Sequence, residues 1–131
     1  MCQTQNQTQR EEIIEVSGNY KLYREYRDGT LRLVKKYASP QTSAETMIEV
    51  DDQNILRIRT HWFLSDGSGV NGFPALEIKL EPRSAEKVRN YMLRVRSLLH
   101  YCELEHWLLS AKYVTQPCAV MAIESTKEPS F

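Results

Sequence analysis

The chain has 131 residues, of which 41% are hydrophobic and 26% are charged, and its 17 Lys and Arg residues balance 17 Asp and Glu residues. A chain of this size and composition is expected to form one globular domain with its own hydrophobic core. The zero net charge excludes a global electrostatic attraction to nucleic acid or to an anionic membrane, so any such binding depends on a local cluster of charge.

The cysteines, Cys2, Cys102 and Cys118, are scattered and match no Cys-x-x-Cys spacing of a metal or redox site. They suit a reducing compartment better than a secreted disulfide scaffold. No stretch approaches 18 consecutive apolar residues, and the N-terminal residues contain no apolar core of a signal peptide. We therefore expect a cytoplasmic protein that does not contact a membrane.

The two ends of the sequence differ from the region between them. Residues 1–12 are rich in Gln and Thr and offer almost nothing to bury, so they predict a disordered polar tail. The last residues, 125–131, predict a flexible tail for the same reason. Residues 13–124 contain no linker-like stretch and no internal repeat, so they predict a single α+β domain.

Asp28-Gly29 separates two β-rich runs, which is the signal of a two-residue type I′ hairpin. Pairing Arg27 with Thr30 predicts that one face of this hairpin points to the core. That face comprises Tyr20, Leu22, Arg24, Tyr26, Leu31, Leu33, Lys35 and Tyr37. The other face is basic with one tyrosine, and its Glu25 lies opposite Arg32 as a predicted cross-strand ion pair.

The next segments predict a second hairpin and further strands. Residues 45–50 and 55–64 are β-rich and flank a turn-forming break at 51–54. Residues 74–80 alternate in polarity like a strand, and 118–123 form a short apolar run that predicts a last strand. Residues 13–16 are a further candidate strand before the first hairpin.

The one clear helical pattern follows residue 80. It begins near Ser84, a predicted N-cap with Glu86 in the first turn, and extends to Lys112. Apolar side chains recur along one stripe at steps of three and four residues. An unbroken helix of this length would span roughly 40 Å, more than a small sheet needs, so it either breaks near Tyr101 or packs its distal half on another subunit.

These elements predict an α+β fold. An antiparallel sheet of five to six strands, formed from two hairpins, packs against one long C-terminal helix, and a short strand follows the helix.

Gly67, Gly69 and Gly72 have the G-x-G-x-x-G spacing of a dinucleotide-binding loop. Such a loop needs a helix N-terminus after it, to which the pyrophosphate binds. Here the glycines precede Phe73-Pro74 and another strand. They therefore predict a flexible connection between strands rather than a phosphate site.

Other candidate chemistry is equally incomplete. Cys102 and His106 are four residues apart and share a helix face, but two ligands do not make a zinc site, so packing is the better interpretation. Ser65 and Ser68 lack a nucleophile elbow, and Cys118 lacks a basic flank. Asp51-Asp52 is a turn pair rather than an acid/base couple. We expect a protein that is not an enzyme and has no cofactor and no metal.

The first hairpin is the most basic segment. Residues 20–37 contain six Lys and Arg and two acids, a local charge of +4. A β-face with cations and a tyrosine can contact phosphates while bases stack on the ring, although a solvated sheet face has the same composition. The candidate nucleic-acid-binding residues in this hairpin are Lys21, Tyr23, Arg27, Arg32 and Lys36.

From residue 47 the order is strand, turn, a strand ending in "HWFLSDG", a glycine-containing loop, the strand "ALEIKL" and a helix opening at "EPRSAEKV". This order resembles the single-stranded-DNA-binding domains of the positive cofactor four and Whirly type. The resemblance covers about half the chain. It implies that Arg57, Arg59 and His61 bind nucleic acid and that the helix stripe forms a homodimer interface. The stripe residues are Val88, Met92, Val95, Leu99, Cys102 and His106.

Our first hypothesis is a small homodimeric protein that binds single-stranded DNA or RNA through the basic sheet face and dimerises through residues 84–112. The alternative is a protein–protein adaptor or inhibitor that uses the same face or the long helix. A third hypothesis is a small-molecule-binding or enzymatic domain with its pocket between helix and sheet, closed by the glycine loop.

Overall fold

The computed structural model describes residues 9–64, 66, 68–71, 74–124 and 127–131. Within these residues seven strands form one antiparallel sheet, in which β1 to β5 follow chain order and β5 pairs with two short strands, β6 and β7. The strands are β1 (Arg10–Ser17), β2 (Tyr20–Arg27), β3 (Thr30–Ala38), β4 (Thr42–Val50), β5 (Ile55–Leu64), β6 (Gly69–Asn71) and β7 (Leu76–Lys79).

Two helices and a small hairpin follow the sheet. They are α1 (Pro82–Arg94), α2 (Leu98–Ser110), β8 (Lys112–Gln116) and β9 (Val120–Glu124). Strands β8 and β9 pair with each other in an antiparallel two-stranded sheet. The predicted α+β class with an antiparallel sheet is therefore confirmed.

The Asp28-Gly29 hairpin has the predicted geometry. Asp28 has a φ of 54° and Gly29 a φ of 80°, as both central residues of a type I′ turn require. Arg27 pairs with Thr30, and the register continues unbroken to Tyr20 opposite Tyr37. Because side chains alternate along a strand, this register fixes which face of β2 and β3 each residue occupies.

The inner face of the sheet, the one that carries Leu22, packs against α1 and α2. Its central residues are fully buried together with the apolar faces of both helices. From the sheet they include Leu22, Leu33, Ile48, Leu56 and Ile58, and from the helices Val88, Met92, Tyr101, Leu104 and Leu108.

The single long helix was a wrong prediction, because the chain leaves helical geometry between Arg94 and Leu98. Val95 ends α1 in an extended conformation, and the Ser97 hydroxyl accepts a hydrogen bond from the His100 amide as the N-cap of α2. The break lies before Tyr101 rather than at it. The stripe of apolar residues continues across the break, so periodicity alone does not reveal it.

Both helix boundaries also differ from the prediction. Helix α1 is capped by the Glu81 carboxylate, which accepts from the Arg83 and Ser84 amides, so Ser84 lies inside the first turn. Helix α2 ends at Ser110, and the Lys112–Gln116 strand follows directly. The β-branched residues of "KYVTQ" favour a strand, but this strand was not predicted from the sequence.

Residues from both predicted tails contact the rest of the domain. Strand β1 starts at Arg10 inside the predicted tail, where Arg10 pairs with Tyr26. At the other end, residues 127–131 pack on the helices, with Pro129 buried and the Phe131 ring stacked on His100 at 4.3 Å between centroids. These residues therefore contact both helices, and the flexibility of the C-terminal tail stays a prediction.

Candidate binding surfaces

The outer face of the sheet, opposite the helices, collects all eight residues predicted to bind nucleic acid. The register places Tyr23, Val34, Met47 and Arg59 in one row across β2 to β5. The row on one side of it contains Glu25, Arg32, Glu49 and Arg57, and the row on the other side contains Lys21, Lys36, Glu45 and His61. Arg27 lies at the end of this face.

Most of these cations are paired with carboxylates. Glu49 is only 3% exposed and accepts from three arginines, at 2.9 Å from Arg32, 3.1 Å from Arg57 and 3.2 Å from Arg59. Arg57 also contacts Asp51 at 3.0 Å and Glu77 at 2.6 Å. The centre of the outer face is therefore a network in which arginines and acids alternate.

This network perturbs the titration of its members. Burial alone would raise the pKa of the Glu49 carboxyl, but the hydrogen bond from Arg32 and the charges of Arg32 and Arg59 lower it below its usual value. The hydrogen bond to Glu77 raises the pKa of Arg57 further above its usual range, against the effect of burial. Both ions are held in their charged forms.

The remaining cations of the outer face lie at its edges. Arg27 contacts Glu25 at 3.3 Å, the predicted Arg32–Glu25 pair is present at 3.7 Å, and Lys36 contacts Glu45 at 3.2 Å. Lys21 forms no ion pair within the described residues, and its Nζ lies 5.4 Å from the centre of the Tyr23 ring. The acids are close enough to offset most of the positive charge from which the nucleic-acid hypothesis started.

The helix stripe divides into two sets. Val88, Met92 and Val95 are fully buried by the sheet and by α2 of the same chain. Leu99, Cys102 and His106, from α2, are exposed, with Leu99 at 74%. The stripe is therefore not one continuous surface, and the homodimer stays a prediction to which only the α2 residues can contribute exposed side chains.

An open surface that was not predicted from the sequence lies where the sheet extends beyond the helices. We call it the end surface and define it by inner-face residues at the strand ends near the glycine loop. It comprises Tyr20, Tyr37, Ala44, Trp62 and Leu64. Tyr20, Trp62 and Leu64 are 40%, 51% and 53% exposed.

The end surface contains a slot. Tyr20, Tyr37, Ala44 and Trp62 occupy one row across β2 to β5, so the small Ala44 separates two aromatic residues. Strands two apart are roughly 10 Å from each other, which leaves room above Ala44 for one inserted side chain. The cavity has a volume of about 300 Å³ and is also lined by Lys35, Thr46 and Thr60.

The inner end of the slot meets helix α2. Lys35 Nζ lies 5.3 Å from the centre of the Tyr101 ring, and the Tyr101 hydroxyl is buried without a hydrogen-bond partner within the described residues. Burial raises the pKa of the Glu105 carboxyl, and the positive charge of Lys35 opposes the increase. The slot thus has aromatic walls, a small apolar floor and one cation at its inner end.

Two signals in the sequence could have indicated the end surface. Trp62-Phe63-Leu64 is a run of three large apolar residues at the end of a strand, whose alternation cannot bury all three. Tyr20 and Tyr37 were placed correctly on the inner face, but one long helix was expected to cover that whole face. The two helices cover the half nearer the Asp28-Gly29 turn.

The glycine loop lies only partly within the described residues. Gly69 belongs to β6 and packs under the Phe63 ring, so it does not start a helix. Ser65, Gly67, Gly72 and Phe73 lie outside the described residues, and so does the prediction that this connection is flexible.

Comparison with known proteins adds no assignment. No protein-family model, no curated protein and no solved structure matches the chain. Among the described residues, no group of three or more His, Cys, Asp and Glu side chains could hold a metal ion, and Cys102 and Cys118 are both exposed free thiols. None of the helices in this part of the chain is long and apolar enough to cross a membrane.

Proposed function

We propose that the protein is a non-enzymatic interaction module that binds a partner protein through the end surface. The observation that carries the proposal is the exposed aromatic row around the Ala44 slot. Aromatic side chains are enriched at protein interfaces, and binding energy concentrates where one partner inserts an anchor into a pocket of the other. The expected partner segment is extended or helical and presents one aromatic or aliphatic anchor to the slot.

The charge distribution supports a protein partner over a polyanion. Arg32, Arg57 and Arg59 share the Glu49 carboxylate, so a phosphate backbone would meet acids as well as cations on the outer face. Affinity for phosphates grows with the number of cations that neutralise them. The exposed Trp62 and Leu64, side by side on the inner face, are instead typical of a surface that another protein covers.

A displayed library of random peptides tests the proposal even though the partner is unidentified. We expect selected peptides to share an aromatic or large aliphatic anchor. Their Kd for a Trp62→Ser variant should be weaker by at least ~10-fold, as for an aromatic hot-spot residue. Fluorescence anisotropy of a labelled peptide measures the Kd.

The matched control is Leu99→Ser, which removes an exposed apolar side chain from α2. Its Kd should equal that of the wild type within about twofold. Both variants alter exposed positions and should unfold at the same urea concentration as the wild type. Equal affinity of the Trp62→Ser variant for every selected peptide would contradict the proposal.

Single-stranded nucleic acid is a second candidate, favoured by one specific observation. Lys21 and Lys36 place their Nζ atoms 5.4 and 5.9 Å from the centre of the Tyr23 ring, a combination of cations and stacking surface that single-strand platforms use. A 20-nucleotide oligo(dT) titration checks it. Binding that weakens steeply with salt and is lost in Lys21→Glu, but persists in Trp62→Ser, would favour this candidate.

A further inference from the structure

We infer that a cleft between helix α1 and strands β1–β3, which we call the helix–sheet cleft, binds a small organic acid with an apolar body. Two contiguous cavities of about 550 and 200 Å³ form it. They share Arg10, Tyr26, Leu31 and Leu93 as lining residues. This size lies within the range of small-molecule sites.

The cleft has an apolar floor that solvent reaches. Tyr26 and Leu31 face each other across the first hairpin, and Leu93 is the α1 residue above them. Leu93 is 45% exposed. Its neighbours in the sequence are the buried Met92 and the exposed Arg94. An apolar ligand group would cover Leu93 and remove apolar surface from water.

Guanidinium groups surround one end of this floor, but they are not equivalent. Arg24 is 7% exposed, and four of its five N–H groups are engaged, because Nε and Nη2 each donate to Glu12, and Nη1 donates to the Met92 and Val95 carbonyl oxygens. It fixes the base of the cleft and neutralises Glu12. Its charge is offset by Glu12, so it does not attract an anion as a free guanidinium would.

Arg10 and Arg96 are the cations that can bind an anion. Arg96 donates only through Nη1, to the Leu93 and Val95 carbonyl oxygens, which leaves Nε and Nη2 without partners in the described part of the chain. Arg10 has no ion pair with any described residue and projects from β1 on the inner face, opposite Tyr26. A guanidinium binds a carboxylate through two parallel hydrogen bonds, so each of these groups suits a carboxylate.

The cations that no acid offsets set the sign of the ligand's charge. Arg24 and Glu12 form an ion pair, and Glu11, which pairs with Glu25 in the register, lies on the outer face of the sheet, so Arg10 and Arg96 remain as the uncompensated charges among the described residues that line the larger cavity. A carboxylate in this cavity therefore meets two available guanidinium groups. The third sequence hypothesis placed a pocket between helix and sheet under the glycine loop; this cleft lies at the opposite end of the sheet, near the Asp28-Gly29 turn.

The test uses 4-phenylbutyrate as the probe and 4-phenylbutanamide as its uncharged match, each titrated into the full chain and followed by two-dimensional amide NMR. We expect 4-phenylbutyrate to shift the amide signals of β1, β2 and the end of α1. The amide should bind about tenfold more weakly, because a charge-assisted hydrogen bond contributes roughly the energy of one decade in Kd. An Arg10→Gln/Arg96→Gln double variant should lose the difference between the two probes.

Two further variants keep the result decisive. Leu93→Asp places an anion over the apolar floor at an exposed position and should abolish binding of 4-phenylbutyrate while leaving the spectrum folded. Arg27→Gln removes an exposed arginine outside the cleft and should change nothing. Equal affinity for acid and amide, unchanged binding in the double variant, or shifts outside the cleft would each overturn the inference.

Discussion

Glu49 is the residue on which the electrostatics of the sheet depend. It is nearly fully buried on the outer face of the sheet, where three arginine side chains donate to it. Removing one partner of such a group leaves the others desolvated and unpaired, which costs more than the pair contributes. Its role is to keep a row of arginines on one sheet face without mutual repulsion.

We expect Glu49→Gln to lower the free energy of unfolding at pH 7 by about 1–3 kcal/mol, since three partly buried arginines lose a buried charged acceptor. Urea denaturation measures the change. The matched control is Glu45→Gln, which breaks the half-exposed pair with Lys36 and should cost about 1 kcal/mol or less. Equal effects of the two variants would contradict the assignment of Glu49.

The pH dependence of this difference follows from the lowered pKa of Glu49. A carboxyl whose folded-state pKa is below its ordinary 4.5 stabilises the protein fully above pH 4.5 and loses that effect as pH falls through the folded-state pKa. The stability gap between wild type and Glu49→Gln should therefore close progressively below pH 4.5. A gap that stays constant down to pH 3 would show that the Glu49 charge is not responsible.

Single residues also mark the limit of prediction from sequence. The Glu25–Arg32 pair was predicted because both residues belong to one hairpin, whose two-residue turn fixes the register. Glu49 and Asp51 meet Arg57 across a different strand pair, and their burial depends on which side chains cover them. Local rules fix the register of adjacent strands, but they do not say which pairs become buried.

Among the elements, the break between α1 and α2 lets two helices cover a sheet that one straight helix would overhang. Arg24, from β2, caps the carbonyl oxygens of Met92 and Val95 at the end of α1, and Glu15, from β1, accepts from the Leu98 amide at the start of α2. Both caps come from strands that are distant in sequence. A pattern read along the helix itself cannot reveal them.

We expect Arg24→Gln to lower the free energy of unfolding by about 2 kcal/mol, because the last carbonyl oxygens of α1 and the Glu12 carboxylate lose buried charged donors. Thermal or urea unfolding followed by circular dichroism measures it. Arg27→Gln, on the exposed side of the same strand, is the control and should be nearly neutral. An Arg24→Gln protein as stable as the control would show that the break does not need this cap.

At the scale of the whole molecule, residues 127–131 join the two helices. The Glu128 carboxylate accepts from the Tyr91 hydroxyl and from Lys87 Nζ, the Glu103 carboxylate accepts from the Ser130 amide, and Phe131 contacts both Tyr91 and His100. The sequence of this segment is polar, so composition predicted a flexible tail. Its contacts are with partners on α1 and α2, which composition does not include.

We expect Phe131→Ala to lower the free energy of unfolding by about 1 kcal/mol and to speed proteolytic removal of the C-terminal residues, because two aromatic contacts are lost. Urea denaturation and limited proteolysis measure the two effects. Lys127→Ala, at an exposed position of the same segment, should change neither. Identical behaviour of the two variants would show that Phe131 does not hold the segment.

The proposed protein-binding end surface depends on where the helices stop on the sheet. Strands β2 to β5, the first hairpin and its register were predictable from turn chemistry and alternation, whereas strand β8 was missed. The extent of the helix layer depends on a break set by distant caps, so the open row from Tyr20 to Trp62 was not predictable. The two tryptophans lie in different parts of the molecule. Trp107 is buried in the core, whereas Trp62 is exposed in the slot.

The sharpest test of the end surface is an NMR titration of the two indole N–H signals with a peptide selected on the wild-type protein. We expect the Trp62 signal to shift in a saturable way with the Kd obtained by anisotropy, while the Trp107 signal stays in place. A saturable interaction that leaves the Trp62 signal unmoved would show that the end surface is not the binding site.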